Sequence, residues 1–267
     1  MNILKLLTYI TTVSLVFACE KVIDIDLENA EAQIVIEAEL KAGNHPFEVK
    51  ISKSKAYFES EESIFIEEAS VILYDANDNA TELVYTQNGI YSANVNALAG
   101  VDYRLKVIAE GEEYNAISKM QQAINLTGLD VEFQEGFGPL PEGHVVYFKF
   151  SDPLAVENFY RVTHSINGAM QVKGSDLIIE DDQLFNGNDV RLSLARKAFE
   201  LGDTVEVNLL HIDKNVYSYF SSLQDILGGD GGPGASAAPG NPTSNWSNDA
   251  LGYFAAVNIS TQTVTIQ

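Results

Sequence analysis

Apolar and polar residues alternate with a period of two through most of the chain after residue 30, in short runs separated by turn-forming clusters. That pattern leaves few folds open, because successive side chains of a strand point to opposite faces and only a half-buried strand keeps one face apolar. IVIEAEL (34–40) sets Ile34, Ile36, Ala38 and Leu40 against Val35, Glu37 and Glu39. PFEVKIS (46–52) puts Phe47, Val49 and Ile51 on one face, and DYRLKVIA (102–109) does the same with Tyr103, Leu105 and Val107. Comparable runs stand at 69–75, 89–95, 145–152, 158–166 and 204–212, and between them lie KAGNHP, DANDNA, TQNG, ALAG, AEGEE and INGAMQ. Short strands at regular spacing with such turns predict an antiparallel β-sandwich.

One segment departs from this period. DKNVYSYFSSLQDILGG (213–229) places Val216, Tyr219, Phe220, Leu223 and Ile226–Leu227 at helical spacing, with Asp213 as N-cap and Gly228 at the C-terminal end. The Gly/Ala/Pro-rich stretch 228–242 that follows reads as a long loop, and 249–267 returns to strand character. SKMQQAINLTG ends the first strand set. The expected architecture is therefore all-β: an immunoglobulin- or fibronectin-like sandwich over 31–120, then a second, mainly antiparallel β domain over 121–267 carrying one helix near 213–228.

Lysine plus arginine number 16 and aspartate plus glutamate 38, a net charge of −22. That balance opposes binding to nucleic acid and to anionic lipid, both of which are held by clustered cations. The acids are spread along the chain, which is the pattern of a solvated, self-repelling surface; a role in binding cations or steering a cationic partner is the functional alternative. Apolar residues make up 46%, too many for a disordered chain.

The first eighteen residues differ from the rest. LLTYITTVSLVFA (6–18) is an apolar run behind a single positive charge, Lys5. It is shorter than the roughly 20 residues a spanning helix needs and has the length of a signal-peptide core. At its end, Val16-Phe17-Ala18-Cys19 places a small residue before the only cysteine of the chain and resembles a bacterial lipobox. A lone cysteine in an exported protein is either a free thiol or a consumed one. Lipidation consumes it, and two or more acyl chains, at about 0.8 kcal/mol per buried methylene, hold a protein stably on a membrane. The expectation is a signal peptide over 1–18, lipid attachment at Cys19 and a tether over 19–30, with secretion as a free thiol the alternative.

Catalytic and metal-binding patterns are sparse. His45, His144, His164 and His211 stand singly, with no second cysteine, which argues against a zinc site. No nucleophile elbow or Gly-rich phosphate loop follows a strand. DANDNATE (75–82) imitates the start of a calcium loop, but Ala80 replaces the required glycine and Thr86 stands where the bidentate glutamate belongs; a hairpin turn is the better reading. The pairs Glu61–Glu62, Glu67–Glu68 and Asp181–Asp182 are neighbours in sequence, poorly placed as glycosidase carboxylates and read as solvated loop charges. No enzyme, cofactor or metal is expected.

Several of these stretches together resemble a family. CEKVIDIDL (19–27), IVIEAEL, VKISKSKAYF (49–58), EEASVILYD (67–75) and GIYSANVNALAGVDYRLKV (89–107) are followed in order by DDQLFNG (181–187), LGDTVEVNLLHIDKNVYSYFSSL (201–223) and GNPTSNWSNDALGYFAA (240–256). The series is similar to a lipoprotein family of Bacteroidota, domain of unknown function 4249. Its members usually carry an aliphatic residue where Trp246 stands and Gly-Gly where Asn248-Asp249 stand. The resemblance implies an outer-membrane lipoprotein with no assigned activity, often encoded beside a TonB-dependent receptor, and so an accessory or binding component of nutrient uptake. An extracellular carbohydrate- or peptide-binding module is the alternative. The residues expected to face a receptor or ligand are Asn241, Pro242, Asn245, Trp246, Tyr253 and Phe254.

Overall fold

The alternation in the sequence becomes alternate burial in the computed structural model, which describes residues 32–55, 64–136, 142–154, 156–194, 198–228 and 240–267. In β1 (Ile34–Lys41) the residues Ile34, Ile36, Ala38 and Leu40 are buried, and in β2 (Gly43–Lys53) so are Phe47, Val49 and Ile51. The remaining strands of the first half are β3 (Ala69–Tyr74), β4 (Ala80–Gln87), β5 (Ile90–Ala97), β6 (Asp102–Ala109) and β7 (Glu112–Lys119). β4 pairs with both β5 and β3, so the sheet folds over between β2–β5 on one side and β3–β6–β7 on the other. The apolar faces enclose one core, with Tyr91, Phe47, Leu105 and Met120 almost wholly inside it. This is the all-β, immunoglobulin- or fibronectin-like sandwich.

The second half contains β8 (Leu126–Gln134), β9 (Gly143–Ser151), β10 (Phe159–Ile166), β11 (Ala169–Met170), β12 (Ile178–Asp181), β13 (Asp189–Ser193), β14 (Thr204–Ile212), helix α1 (Lys214–Gly228) and β15 (Leu251–Thr265). β13–β9–β8 form a separate three-stranded sheet. It shares a second core, including Val146, Phe148 and Phe150, with the inner face of β10–β14. The opposite face of those strands is covered by α1, where Val216, Tyr219 and Phe220 pack on Phe159, Leu210 and Ile212. Double coverage explains why β14 passes from alternation in TVEVN to a continuous buried run in LLHI.

β15 joins the two halves. Over Leu251–Val257 it lies parallel to β1, and over Asn258–Thr265 antiparallel to β14. Phe254 and Ala256 enter the first core, Ala255 and Val257 lie under the helix, and Ile266, just beyond the strand, reaches the second core. The first core therefore takes Trp246, Ala250, Phe254 and Ala256 from well beyond residue 120. The sequence passes from the first core to the second between Met120 and Ile124, but the C-terminal strand serves both.

Two glycines are forced by this geometry. Asn88-Gly89, with φ of 49° and 72°, turns β4 into β5 in the two-residue hairpin that wants left-handed backbone at both positions. Gly252, at φ 90°, sits so close to β1 that a Cβ would lie 2.2 Å from the Ile36 carbonyl oxygen; no side chain fits there.

Candidate functional site

The segment expected to face a partner, Asn241–Phe254, is instead largely a structural clasp. Trp246 is buried, and its indole Nε1–H donates to the Ile36 carbonyl at 3.1 Å. Phe254 is fully buried, with ring centroids 6.2 Å from Phe47 and 6.5 Å from Trp246. Asn245 mimics a strand residue: its Nδ2 donates to the Phe254 carbonyl at 2.7 Å, and its Oδ1 accepts the Phe254 N–H at 3.0 Å. Residues 245–247 thereby close the β7 edge, through a bridge between Trp246 and Ala116 and the Ser247 N–H bond to the Asn115 carbonyl. Tyr253 packs against Tyr219 and Phe220 at 4.9 and 4.8 Å, and burial pushes its phenol up to about 12. Of the six residues expected to face a partner, Asn241 alone is exposed, its Nδ2 donating to the Gln33 side chain at 3.4 Å, while Pro242, Asn245 and Tyr253 are half-buried. The apolar run LGYFAAV gives no alternation from which the burial of Phe254 could be read. Trp246 gave no signal either, since its partner is a backbone carbonyl 210 residues away.

Asn248 and Asp249 both adopt positive φ, 59° and 56°. Asn and Asp tolerate the left-handed region better than other non-glycine residues, so this chain keeps the turn that a Gly-Gly pair would make.

The buried polar groups are structural joints. The carboxylate of Asp213 accepts the N–H groups of Asn215 and Val216 at the start of α1, and also the Ser118 hydroxyl and the Lys119 N–H of β7. Tyr160 donates to Asp152, which also accepts the Gly187 N–H; burial and that carboxylate hold the phenol far above its ordinary value. His211 stacks on Tyr160 at 5.4 Å and donates from Nδ1 to the Gln122 carbonyl at 2.7 Å, while burial lowers its pKa. The pair Asp181–Asp182 is not a solvated loop pair: Asp182 is buried and accepts the Asn158 N–H, and Asp181 accepts the Tyr217 hydroxyl. Asp75 accepts the N–H groups of Asn77 and Asn79 and the Asn79 amide, which makes DANDNA a self-satisfied turn between β3 and β4 and holds its carboxyl below the usual range. Among the described residues no three His, Cys, Asp or Glu side chains converge as a metal site. Cys19 and Glu61–Glu62 lie outside the described residues.

The opening with the character of a ligand site is a cleft of about 650 Å³ on the helix side of the second half. Its floor is the sheet face of β10, β14 and β15, continued by Glu39 and Lys41 of β1. Thr163, Asn208 and Thr261 lie side by side across three strands, with the Thr261 hydroxyl donating to Asn208 Oδ1 at 2.6 Å. One wall is the C-terminal half of α1, including Leu223 and Leu227; the other is the chain from Met170 to Leu177. Gly174 lets that chain approach α1, since a Cβ there would sit 3.1 Å from Leu227 Cβ. Arg161 crosses the floor to Glu39, Nη1 to Oε2 at 3.2 Å, with its guanidinium carbon 4.0 Å from the centre of the Phe220 ring. Sequence reasoning missed this cleft, because its lining comes from six strands, a helix and a loop distant in sequence.

The fold and its joints define an all-β protein of two sandwich-like halves sharing one C-terminal strand, with a single helix backing the second half among the described residues. The chain belongs to the family described as Domain of unknown function (DUF4249), whose model matches residues 20–263. Among solved structures it is similar to a two-fibronectin-type-III-domain segment of chicken tenascin, at 10% identity over 68% of this chain and 92% of that one, with a TM-score of 0.22. No curated protein matches the chain. No helix among the described residues is long and apolar enough to cross a membrane.

Proposed function

We propose that this is a non-enzymatic lipoprotein anchored through Cys19 to the bacterial outer membrane, acting as a binding or accessory component of a TonB-dependent uptake system. The observation that carries the reading is the lipobox-like Val16-Phe17-Ala18-Cys19 at the end of an apolar run, one residue before the family match begins. Bacteroidota membership and the receptor association follow from the family resemblance. The cleft supports a binding role, since concave sites of roughly 300–1,000 Å³ with apolar walls and a few polar groups are where small ligands are held. The same cleft favours the second reading, a carbohydrate- or peptide-binding module that works without a receptor.

Mild crosslinking in the parent organism, followed by purification of the tagged protein, separates the two. Recovery with an outer-membrane receptor is expected. Recovery as a solitary species contradicts the uptake reading.

A further inference from the structure

We propose that the cleft between α1 and the Met170–Leu177 chain binds a zwitterion with an apolar body: an apolar amino acid or a short apolar peptide. The proposal rests on the reading of the protein as a binding component, but not on its anchor or its receptor.

The floor charge selects the class. Arg161 and Glu39 are mostly buried, their side chains 19% and 25% exposed. Arg161 spends one hydrogen bond on Glu39, from Nη1. The guanidinium, a planar fork of five donors, therefore retains donor capacity beside the cleft. A ligand carboxylate alone at Arg161 would sit next to the Glu39 carboxylate, and a ligand ammonium alone at Glu39 would sit next to the guanidinium. Either leaves a like-charge contact in a partly desolvated site, which is costly. A zwitterion gives each member of the pair an opposite charge at once: carboxylate to Arg161, ammonium to Glu39. The rim is balanced too, with Lys41 and Lys173 against Asp176 and Glu206, so in a chain of net charge −22 this opening favours no net sign.

The walls select the body. Leu223, Leu227 and Leu177 line the opening, and Val172 and Met170 are 84% and 51% exposed at its mouth, a concentration of aliphatic surface on opposing walls. The aromatic ring at the cleft, Phe220, is buried and already covered by Arg161. It offers no open platform for stacking a sugar, which disfavours a carbohydrate. The Thr163–Asn208–Thr261 row supplies hydroxyl and amide groups for a peptide backbone.

Isothermal titration of the full-length protein with leucyl-leucine tests this, with octanoate, hexylamine and maltose as comparators. The dipeptide is expected to bind, and octanoate and hexylamine, each lacking one charge, to bind about tenfold or more weaker. Arg161→Gln and Val172→Asp are each expected to weaken the dipeptide about tenfold or more. Because Val172 is exposed, its variant should keep the wild-type melting temperature and report on the cleft even if Arg161→Gln destabilises the fold. No dipeptide binding at millimolar concentration, tighter binding of maltose or octanoate, or unchanged binding in a folded Val172→Asp protein would overturn the proposal. A receptor complex recovered together with failed titration would remove the ligand assignment and leave the uptake reading standing.

Discussion

Asp213→Ala should be among the most damaging single changes outside the hydrophobic cores. The carboxylate, 8% exposed, holds four donors: Oδ1 takes the N–H groups of Asn215 and Val216 at 2.9 and 3.0 Å, and Oδ2 takes the Ser118 hydroxyl and the Lys119 N–H. Ser118 Oγ in turn accepts the Ala256 N–H at 2.8 Å, so one side chain ties the start of α1 to β7 and to β15. Loss of a helix N-cap costs about 1 kcal/mol. Leaving the Ser118 and Lys119 donors without their acceptor adds about 1–3 kcal/mol each. The sum, about 3–7 kcal/mol, is a large part of a typical domain's stability. Reversible urea unfolding followed by circular dichroism measures it as a shift in midpoint at constant slope. Asp213→Asn should lose about half as much, because its amide still caps the helix but turns a donor toward the Lys119 N–H. Ser118→Ala and Asp213→Ala should be clearly non-additive in a double-mutant cycle. A loss of only about 1 kcal/mol for Asp213→Ala, the worth of a cap alone, together with additivity, would refute the joint.

Gly252→Ala should cost about 4 kcal/mol, combining left-handed backbone with a Cβ clash on the Ile36 carbonyl, read as a fall in melting temperature; a neutral effect would contradict the β1–β15 register. Trp246→Ala should lose about 3–5 kcal/mol through its cavity and the orphaned Ile36 carbonyl, whereas Trp246→Leu should lose less. Trp246 is the only tryptophan, so wild-type emission should be blue-shifted when native and move to the red on unfolding. Alkali should destabilise the protein through Tyr253. Its phenol ionises in the unfolded chain near the ordinary value of about 10 but in the fold only near 12. The folded state therefore holds the proton longer, and stability falls between those two pH values by on the order of 2–3 kcal/mol. Tyr253→Phe should make that part of the pH–stability profile shallower, the raised phenols of Tyr160 and Tyr219 keeping a residual slope; an unchanged profile would contradict the burial of the Tyr253 phenol.

Much of the fold was legible in the sequence, because half-burial writes itself as alternation. The buried faces of 34–40, 46–52 and 102–109 are the apolar ones read there, and Asp213 begins the helix as its spacing required. The Asn-Gly and Glu-Gly pairs at 88–89, 110–111 and 167–168 turn where expected, each at positive φ. Less legible were strands whose faces are not cleanly divided: β8 is half-buried throughout much of its length, and β4 keeps a single buried side chain, Leu83. The parallel pairing of β15 with β1 joins residues more than 200 positions apart, a register that no local pattern encodes. The segment 241–254 misled because Asn, Pro, Ser and Gly mark surface turns by composition. Here the Asn245 side chain replaces a backbone partner and draws Trp246 inward. The Arg161–Glu39 pair was invisible for a similar reason: its two residues, 122 positions apart, meet only across the sheet.

The most direct test of the account is the fate of Cys19. Wild-type protein expressed in its parent organism with tagged palmitate should carry the label and sediment with outer membranes, whereas Cys19→Ala should carry none and leave the membrane fraction. An unlabelled wild-type protein, or a Cys19→Ala variant that still sediments with membranes, would contradict it.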